Sequence, residues 1–396
     1  MIKQGKNEKM DNFCIAPFVH MYIHSNEGSR VCCMTTESSA IADDTDMDLR
    51  KRWSDRYIKE IRATFLKDER PEICSKCFSI EDNGGKSDRN RFNELYEDMK
   101  FEFDVEFGTQ YKSPLDLDIR PGNLCNLKCR MCGPISSSQI QREVQKNTSL
   151  HEIYGTGYIQ TTDVLSDSTN IEFLLENADK GRRIKFLGGE PTIMPEVDKF
   201  LDILISNGMT DVPLHFTTNC TNNKKSFIDK LSNFSAVSFN YSIDGVDKVV
   251  EYIREPVKFS SINENIKLYH DMATYGQITY TYQAYNFFNL IDTVRWSTNL
   301  GISLRPEVLL KPDWCNIRVL PVSIRHRYAG MMLRMDEMKN SLQHNTLQPV
   351  LHKILNDDTQ YDITKLARYT KLLDDVRGTH IKDYIPEIWE LLKDHF

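Results

Sequence analysis

A loop with three closely spaced cysteines constrains this chain more than any other feature. The segment CNLKCRMC places Cys125, Cys129 and Cys132 at the spacing C-x3-C-x2-C. Thiolates are preferred ligands of iron–sulfur clusters and of zinc. Three of them can hold three corners of a cubane cluster and leave its fourth iron open, whereas a structural zinc site normally closes with four ligands. The spacing therefore predicts a three-ligand iron–sulfur site.

Charge and composition argue against several other classes of protein. The chain has 396 residues, a net charge of −7 and ten cysteines. An acidic chain is not expected to bind nucleic acid or an anionic membrane surface. No apolar run is long enough to span a bilayer. Residues 1–13 contain no apolar signal segment, so we predict a cytoplasmic protein whose cysteines serve metal sites.

Strands and helices are predicted to alternate from residue 115 onward. Alternating apolar and polar residues predict strands at 115–120, 183–187, 213–218, 236–243, 277–285 and 303–309. Helices are predicted at 134–147, 195–206, 224–232, 260–273 and 289–299, and again at 363–376 and 386–395. This order implies an α/β fold with a parallel sheet, in which the active site lies at the carboxyl ends of the strands.

The cysteine loop and three motifs downstream of it resemble the radical S-adenosylmethionine (SAM) superfamily. Members carry C-x3-C-x2-C on the loop after the first barrel strand, and here residues 188–191 are GGEP, 218–219 are TN and 242–244 are SID. Met131 departs from the aromatic residue that many relatives carry before the third cysteine. The resemblance covers roughly residues 115–312 and implies a partial (β/α)6 TIM-like barrel.

The same resemblance implies a set of SAM-binding residues. The backbone of Gly188, Gly189 and Pro191, with the side chain of Glu190, is expected to receive the amino group of SAM. The polar side chains expected to hold its ribose and carboxylate are those of Asn219, Ser242 and Asp244. The alternative for all of them is ordinary strand-end turn chemistry.

Three further polar residues are weaker candidates near the predicted strand ends. Arg254 follows a helix beyond Asp244 and is expected either to pair with the SAM carboxylate or to be a solvated helix-end arginine. Gln283 and Asn286 lie near the end of the fifth predicted strand.

A second set of cysteines precedes the predicted barrel. Cys14, Cys32 and Cys33 flank a predicted hairpin, and Cys74 and Cys77 form a C-x2-C pair. Converging thiolates of this kind suit zinc and an iron–sulfur cluster equally well. The pattern C-x13-G-x4-C resembles the SPASM and twitch auxiliary-cluster domains of radical SAM enzymes, which favours iron–sulfur. In those relatives the module usually follows the barrel.

Only one of Cys32 and Cys33 is expected to be a ligand, because neighbouring residues on a strand point to opposite faces. The spacing from Gly28 favours Cys33, and alignment with relatives favours Cys32, so both remain candidates. His20 and His24 on the hairpin are expected to face solvent. One helix is predicted over residues 51–67, and a linker helix over residues 91–100.

The first barrel strand carries Asp116, Asp118 and Arg120 on one face. They are expected either to line the cavity below the cluster or to form an internal salt-bridge layer, and the layer is favoured for Asp116. The predicted domains are an auxiliary-cluster domain at 1–100, a radical SAM barrel at 101–320 and a helical region at 321–396.

These features lead to one main hypothesis for function. The protein is predicted to cleave SAM reductively at a [4Fe–4S] cluster and to abstract hydrogen from a substrate, with flavodoxin or ferredoxin as reductant. The resemblance favours a peptide or protein substrate, with a carbohydrate or another small molecule as the alternative. A non-catalytic metal protein, either an electron carrier or an interaction module, is the other class considered.

Overall fold

A computed structural model of the chain describes residues 10–25, 28–35, 48–97, 113–159, 164–176 and 181–396. The centre of the predicted hairpin turn, residues 26–27, lies outside these ranges. So do the end of the predicted linker helix, residues 98–100, and parts of the segment between the first two barrel strands.

Eight strands form a single open sheet. They are β1 (His20–His24), β2 (Gly28–Arg30), β3 (Asp116–Arg120), β4 (Arg183–Phe186), β5 (Leu214–Thr218), β6 (Val237–Ser242), β7 (Tyr275–Tyr282) and β8 (Ser303–Val308), in the order β2-β1-β3-β4-β5-β6-β7-β8. β1 is antiparallel to β2 but parallel to β3. The pairs β3–β4, β6–β7 and β7–β8 are also parallel. The predicted α/β fold with a partial barrel is confirmed.

The described helices connect and flank these strands. They are α1 (Ala16–Val19), α2 (Leu49–Trp53), α3 (Arg56–Leu66), α4 (Ser75–Asp82), α5 (Asp88–Leu95), α6 (Ser138–Lys146), α7 (His151–Tyr154), α8 (Ser168–Leu175), α9 (Pro195–Ser206), α10 (Lys225–Leu231), α11 (Asp247–Ile253), α12 (Phe259–Met272), α13 (Leu290–Leu300), α14 (Val322–Arg334), α15 (Asp336–Lys339), α16 (His344–Leu355), α17 (Ile363–Arg377) and α18 (Pro386–Leu392). None of them, over the ranges described, is long and apolar enough to cross a membrane.

The chain divides into two compact units. Unit 1 contains residues 1–122, 160–215 and 230–236, and unit 2 contains residues 123–159, 216–229 and 237–396. The division into three domains at residues 100 and 320 stays a prediction.

Alternating burial explains why the strands take their places. Every second residue of β5, β6 and β7 is buried, which gives each strand one apolar face. In unit 2, Phe239 packs edge-on against Tyr269 of α12, with ring centroids 5.1 Å apart. In unit 1, Phe186 packs against Phe200 of α9 in the same manner. The opposite face of these strands is polar and is available for functional side chains.

Two helices differ from their predicted bounds because of local N-terminal capping. The helix predicted over 51–67 is two helices, α2 and α3, because the carboxylate of Asp55 accepts a hydrogen bond from the backbone N–H of Tyr57 and starts a new helix. The linker helix begins at Asp88 rather than at residue 91, since Ser87 forms a capping box with Asn90.

The expectation that the hairpin histidines face solvent is wrong. His20 is 3% exposed and His24 is 8% exposed. β1 lies between β2 and β3, so both of its edges and both of its faces are covered. The Nδ1 atom of His20 lies 2.8 Å from Asp116, which confirms the salt-bridge layer favoured for that aspartate.

Candidate active site

The three cysteines of the C-x3-C-x2-C loop lie together in unit 2. Cys125 and Cys129 are buried, and Cys132 is half-buried. The Cys132 thiol hydrogen bonds to the Cys129 sulfur, which lowers the pKa of Cys129 and raises the pKa of Cys132. The backbone N–H of Leu127 donates to Cys125 Sγ at 3.5 Å.

Arg254 lies at the centre of this site. Its guanidinium Nη1 is 3.7 Å from Cys129 Sγ, and its Nη2 is 2.7 Å from Asp244 Oδ2. Arg254 is only 7% exposed, so the alternative of a solvated helix-end arginine is wrong. A cation beside a thiolate stabilises its negative charge. Arg254 thus links Asp244, a candidate for SAM binding, to the cysteine loop.

The cysteine loop is fixed to the segment that carries Arg254. The backbone N–H of Lys128 donates to Glu255 O at 2.6 Å, and that of Arg130 donates to Ile253 O at 2.8 Å. These two bonds hold the loop and residues 253–255 side by side. The position of Arg254 over Cys129 is therefore set by the backbone and not only by side chains.

Two arginines join the loop to the C-terminal helix α17, and the sequence analysis missed both. Arg130 is fully buried, and its Nη2 donates to Asp374 Oδ1 at 2.5 Å. Arg377 of α17 donates to Lys128 O at 2.9 Å and pairs with Glu143 at 2.8 Å. The only sequence signal for this contact between the cysteine loop and α17 was the charged residue Arg130 between Cys129 and Cys132.

Asn219 and Asp244 lie at strand ends in unit 2, as predicted, and both are buried. Asn219 Nδ2 donates to Asn126 Oδ1 at 3.1 Å, so it contacts the cysteine loop directly. Asp244 Oδ1 accepts the backbone N–H of Thr281 at 2.7 Å. Burial raises the pKa of Asp244, although Arg254 acts in the opposite direction.

The other candidates of unit 2 differ in how many hydrogen-bond partners they have. Ser242 ends β6 and is half-buried. Asn286 donates to Asp244 O at 3.1 Å, so it supports the loop that carries Asp244. Gln283 is fully buried, and its side-chain amide has no hydrogen-bond partner among the described residues. A buried amide without partners is a candidate contact for a bound ligand.

The GGEP segment lies in unit 1, directly after β4. Gly188 has φ +105°, and a Cβ atom there would lie 2.7 Å from Gly122 O, so only glycine fits. Gly189 N–H donates to the same carbonyl at 3.0 Å. Glu190 is 1% exposed and accepts hydrogen bonds from the backbone and hydroxyl of Thr192. Pro191 then opens a short 3-10 turn.

Four cysteines of the N-terminal set line one cavity in unit 1. Cys14, Cys32, Cys74 and Cys77 border one small cavity together with Arg89. Burial raises the pKa of Cys74 to about 12 and raises the pKa of Cys14 and Cys32 as well. Such thiols lose their protons only when a metal or another cation stabilises the thiolate.

Cys33 does not line this cavity. It is exposed, and its charged neighbours are Asp118, Lys185 and Arg120 on the polar face of β3 and β4. Of the two adjacent cysteines, Cys32 is therefore the one grouped with Cys14, Cys74 and Cys77. Within the described ranges, no three His, Cys, Asp or Glu side chains converge closely enough to hold a single metal ion.

Comparison with known proteins gives a family match for the centre of the chain. Residues 119–285 match the model of the Radical SAM superfamily. This segment contains the cysteine loop, GGEP, Asn219 and Asp244. Residues 119–285 therefore match a superfamily whose members use a [4Fe–4S] cluster and SAM.

Solved structures with low similarity were also found. SuiB of Streptococcus suis bound to S-adenosylmethionine has 16% identity and a TM-score of 0.41, with 72% of this chain and 64% of SuiB covered. SuiB bound to precursor peptide SuiA gives the same values. The structure of anSMEcpe with bound AdoMet has 18% identity and a TM-score of 0.38, with 55% and 59% covered. This chain thus spans less than two thirds of the length of either protein. No curated protein matched the sequence.

The donor sets fit the groups that the family implies. Three clustered thiols with one guanidinium suit a cluster with an open iron, since thiolates are the usual cluster ligands. Asn219, Asp244 and Arg254 add hydrogen-bonding and charged groups in the same unit. Four thiols around one cavity, two of them buried and two half-buried, suit a second, fully ligated centre.

Replacing Asp244 by asparagine or Asn219 by alanine is expected to weaken SAM binding without loss of the cluster. Each change removes hydrogen bonds or charge worth about 1–3 kcal/mol, and neither residue is a soft ligand. Isothermal titration of the anaerobic protein with SAM measures the effect. Asp292→Asn, an exposed change on α13, is the control. Unchanged affinity in both variants would mean that these residues only shape strand-end turns.

Proposed function

We propose that this protein is an enzyme that cleaves SAM reductively and uses the resulting radical to abstract hydrogen from a peptide. The observation that carries the proposal is that Cys125, Cys129, Cys132 and Arg254 lie together in one largely buried site of unit 2. When bound there, a [4Fe–4S] cluster and SAM would supply one-electron cleavage of the sulfonium to methionine and a 5′-deoxyadenosyl radical. The chain's own residues bind and orient these groups and exclude water.

Each residue has a distinct role in this proposal. The three cysteines would hold three irons of the cluster, and the fourth iron would be left open to SAM. Arg254 compensates the charge at Cys129, and Asp244 holds Arg254 in place. Glu190 and the backbone of Gly188, Gly189 and Pro191 receive the SAM amino group, while Asn219, Ser242 and Asp244 are the candidates for its ribose and carboxylate.

The N-terminal cavity is proposed to hold an auxiliary iron–sulfur cluster ligated by Cys14, Cys32, Cys74 and Cys77. With four protein ligands it has no open iron, so it transfers electrons or positions substrate and does not bind SAM. The resemblance of this cysteine pattern to SPASM and twitch modules supports a peptide substrate. Flavodoxin or ferredoxin is the proposed reductant.

Anaerobic turnover tests the catalytic proposal. Protein reconstituted with iron and sulfide, then given dithionite and SAM, is expected to form 5′-deoxyadenosine, measured by chromatography. Co-expression with a peptide encoded beside the gene, followed by mass spectrometry, then tests the substrate. A colourless, zinc-loaded protein that forms no 5′-deoxyadenosine would contradict the proposal. A modified sugar or other small molecule in place of a modified peptide would overturn the substrate class alone.

Replacing Cys74 and Cys77 together by alanine is expected to remove about half of the iron, because two cubane clusters hold equal shares. The variant should still cleave SAM. Cys32→Ala is expected to reproduce this loss, and Cys33→Ala, its matched neighbour, is not. Iron and sulfide analysis gives the result. Zinc in place of iron, or a loss caused by Cys33→Ala instead, would overturn the assignment of this centre.

A further inference from the structure

Two layers of charged side chains lie on one face of the sheet in unit 1. Their register is fixed by the parallel pairing of β3 with its neighbours, which aligns His20 with Asp116 and Tyr22 with Asp118, and then aligns Asp116 with Arg183 and Asp118 with Lys185. In a parallel pair, residues that are aligned point to the same face. The two aspartates therefore mark two levels along this face.

The first level is electrostatically complete. Asp116 is fully buried, with His20 Nδ1 at 2.8 Å and Arg183 Nη2 at 2.9 Å. These are the distances of charge-assisted hydrogen bonds. This level has no capacity for another ion and holds the strands together.

The second level, nearer the carboxyl ends of the strands, is not complete. Asp118 is buried, yet Lys185 Nζ lies 3.5 Å and Arg120 Nε lies 3.4 Å from its oxygens. Both contacts are longer than a charge-assisted hydrogen bond of about 2.7–2.9 Å. Two cations, Lys185 at this level and Arg120 one level further along β3, share the Asp118 carboxylate, so these three side chains carry one excess positive charge. The side chains of Arg120 and Lys185 remain 27% and 22% exposed and can be reached by a ligand.

The side chain of Arg120 is oriented by its neighbours but has few hydrogen-bond partners. Its guanidinium lies 4.8 Å from the ring centroid of Tyr22, which restricts its orientation. Beyond the contact with Asp118, the side chain of Arg120 makes no further hydrogen bond with any residue the structure describes. Its Cα lies 3.5 Å from the position of a Cβ on Gly188, so it adjoins the GGEP segment.

The neighbouring His215 adds no positive charge to this group. Burial, with smaller contributions from Lys185 and Arg183, lowers the pKa of His215 to about 3, and the two aspartates act in the opposite direction. His215 is therefore neutral and does not add to the charge. A partly buried cation without a full set of acceptors is stabilised by an anion.

We propose that Arg120 and Lys185 form a subsite for an anionic group of the substrate, a carboxylate or a phosphate, beside the GGEP segment. The proposal rests on the proposed function, because it assigns this group to the molecule from which hydrogen is abstracted. A planar guanidinium on an aromatic ring suits two-point contact with a carboxylate or phosphate, and Lys185 adds a point charge. Asp118 orients both cations, and the three side chains together keep one excess positive charge for an anion.

Three small probes test the subsite on the full-length, cluster-loaded protein. They are N-acetyl-L-aspartate N-methylamide, its neutral isostere N-acetyl-L-asparagine N-methylamide, and inorganic phosphate. Saturation-transfer NMR detects the two amide probes, and line broadening in phosphorus NMR detects phosphate. Binding of the aspartate probe, of phosphate or of both is expected, and binding of the asparagine probe is not. Arg120→Gln and Lys185→Gln should each weaken anion binding about tenfold, the effect of losing one charge-assisted hydrogen bond.

Controls separate this outcome from loss of the proposed function. Lys185→Arg should retain binding, and Arg305→Gln, which removes an exposed arginine of β8, should leave it unchanged. SAM titration of the same variants should give wild-type affinity, since neither residue is assigned to SAM. Equal binding of the asparagine probe, binding of neither anion, or anion binding that survives both glutamine variants would overturn the subsite. None of these results would affect the assignment of the cysteine loop.

Discussion

Replacing Cys125, Cys129 and Cys132 together by alanine is expected to abolish 5′-deoxyadenosine formation completely. The N-terminal centre should remain loaded, because its four thiols line a separate cavity in unit 1. About half of the iron should therefore be retained, since each cubane cluster holds an equal share. Iron analysis and chromatography of the same sample measure both effects.

A matched variant sharpens that result. Cys220→Ala changes a buried cysteine of unit 2 that belongs to neither set, so it should retain both clusters and activity. Loss of all iron from a folded triple variant would show that the two sets serve one shared centre. Residual 5′-deoxyadenosine in the triple variant would contradict the role of the loop.

Replacing Asp374 by asparagine is expected to produce the largest effect outside the cysteines. The Asp374 carboxylate accepts hydrogen bonds from Arg130, Tyr252, Thr379 and the backbone of Ile381. The Arg130 guanidinium also lies 3.6 Å from the Tyr252 ring centroid. Removing one partner of a buried ion pair costs about 3–5 kcal/mol, because it leaves the other charge without compensation.

The effect of this change should reach the cluster loop, since Arg130 lies between Cys129 and Cys132. In Asp374→Asn protein, a chelator is expected to remove the iron held by the Cys125/Cys129/Cys132 loop faster than in wild type. The iron held by the N-terminal cysteines should be removed at the wild-type rate. Asp375→Asn, at the neighbouring exposed position that pairs with Lys371, is the control and should change neither rate. Equal acceleration of both halves would indicate general destabilisation instead of a specific support of the loop.

Local sequence patterns predicted the elements that depend on neighbouring residues. The barrel strands begin within two residues of their predicted positions, because alternation of apolar and polar side chains determines which face is buried. Helix α9 has the predicted bounds of 195–206, where Pro195 provides a strong start signal. The spacing of the cysteines likewise predicted a grouping that needs no knowledge of distant residues.

Contacts between distant parts of the chain could not be predicted in this way. Arg130 and Asp374 are 244 positions apart, and no periodic pattern links them. The parallel pairing of β1 with β3 joins the hairpin to the barrel sheet across a long connection, which also buries His20 and His24. The grouping of Cys32 with Cys14, Cys74 and Cys77 depends on the fold of the chain after β2, where strand alternation no longer applies.

Mössbauer spectroscopy of protein enriched in 57Fe tests the central claim most directly, namely that only the Cys125/Cys129/Cys132 loop leaves an iron open to SAM. With two cubane clusters, addition of SAM is predicted to change the signal of about one iron in eight and to leave the rest as they were. The Cys74→Ala/Cys77→Ala variant should show the same change in about one iron in four. A spectrum that SAM does not alter, in protein with full iron content, would contradict the account.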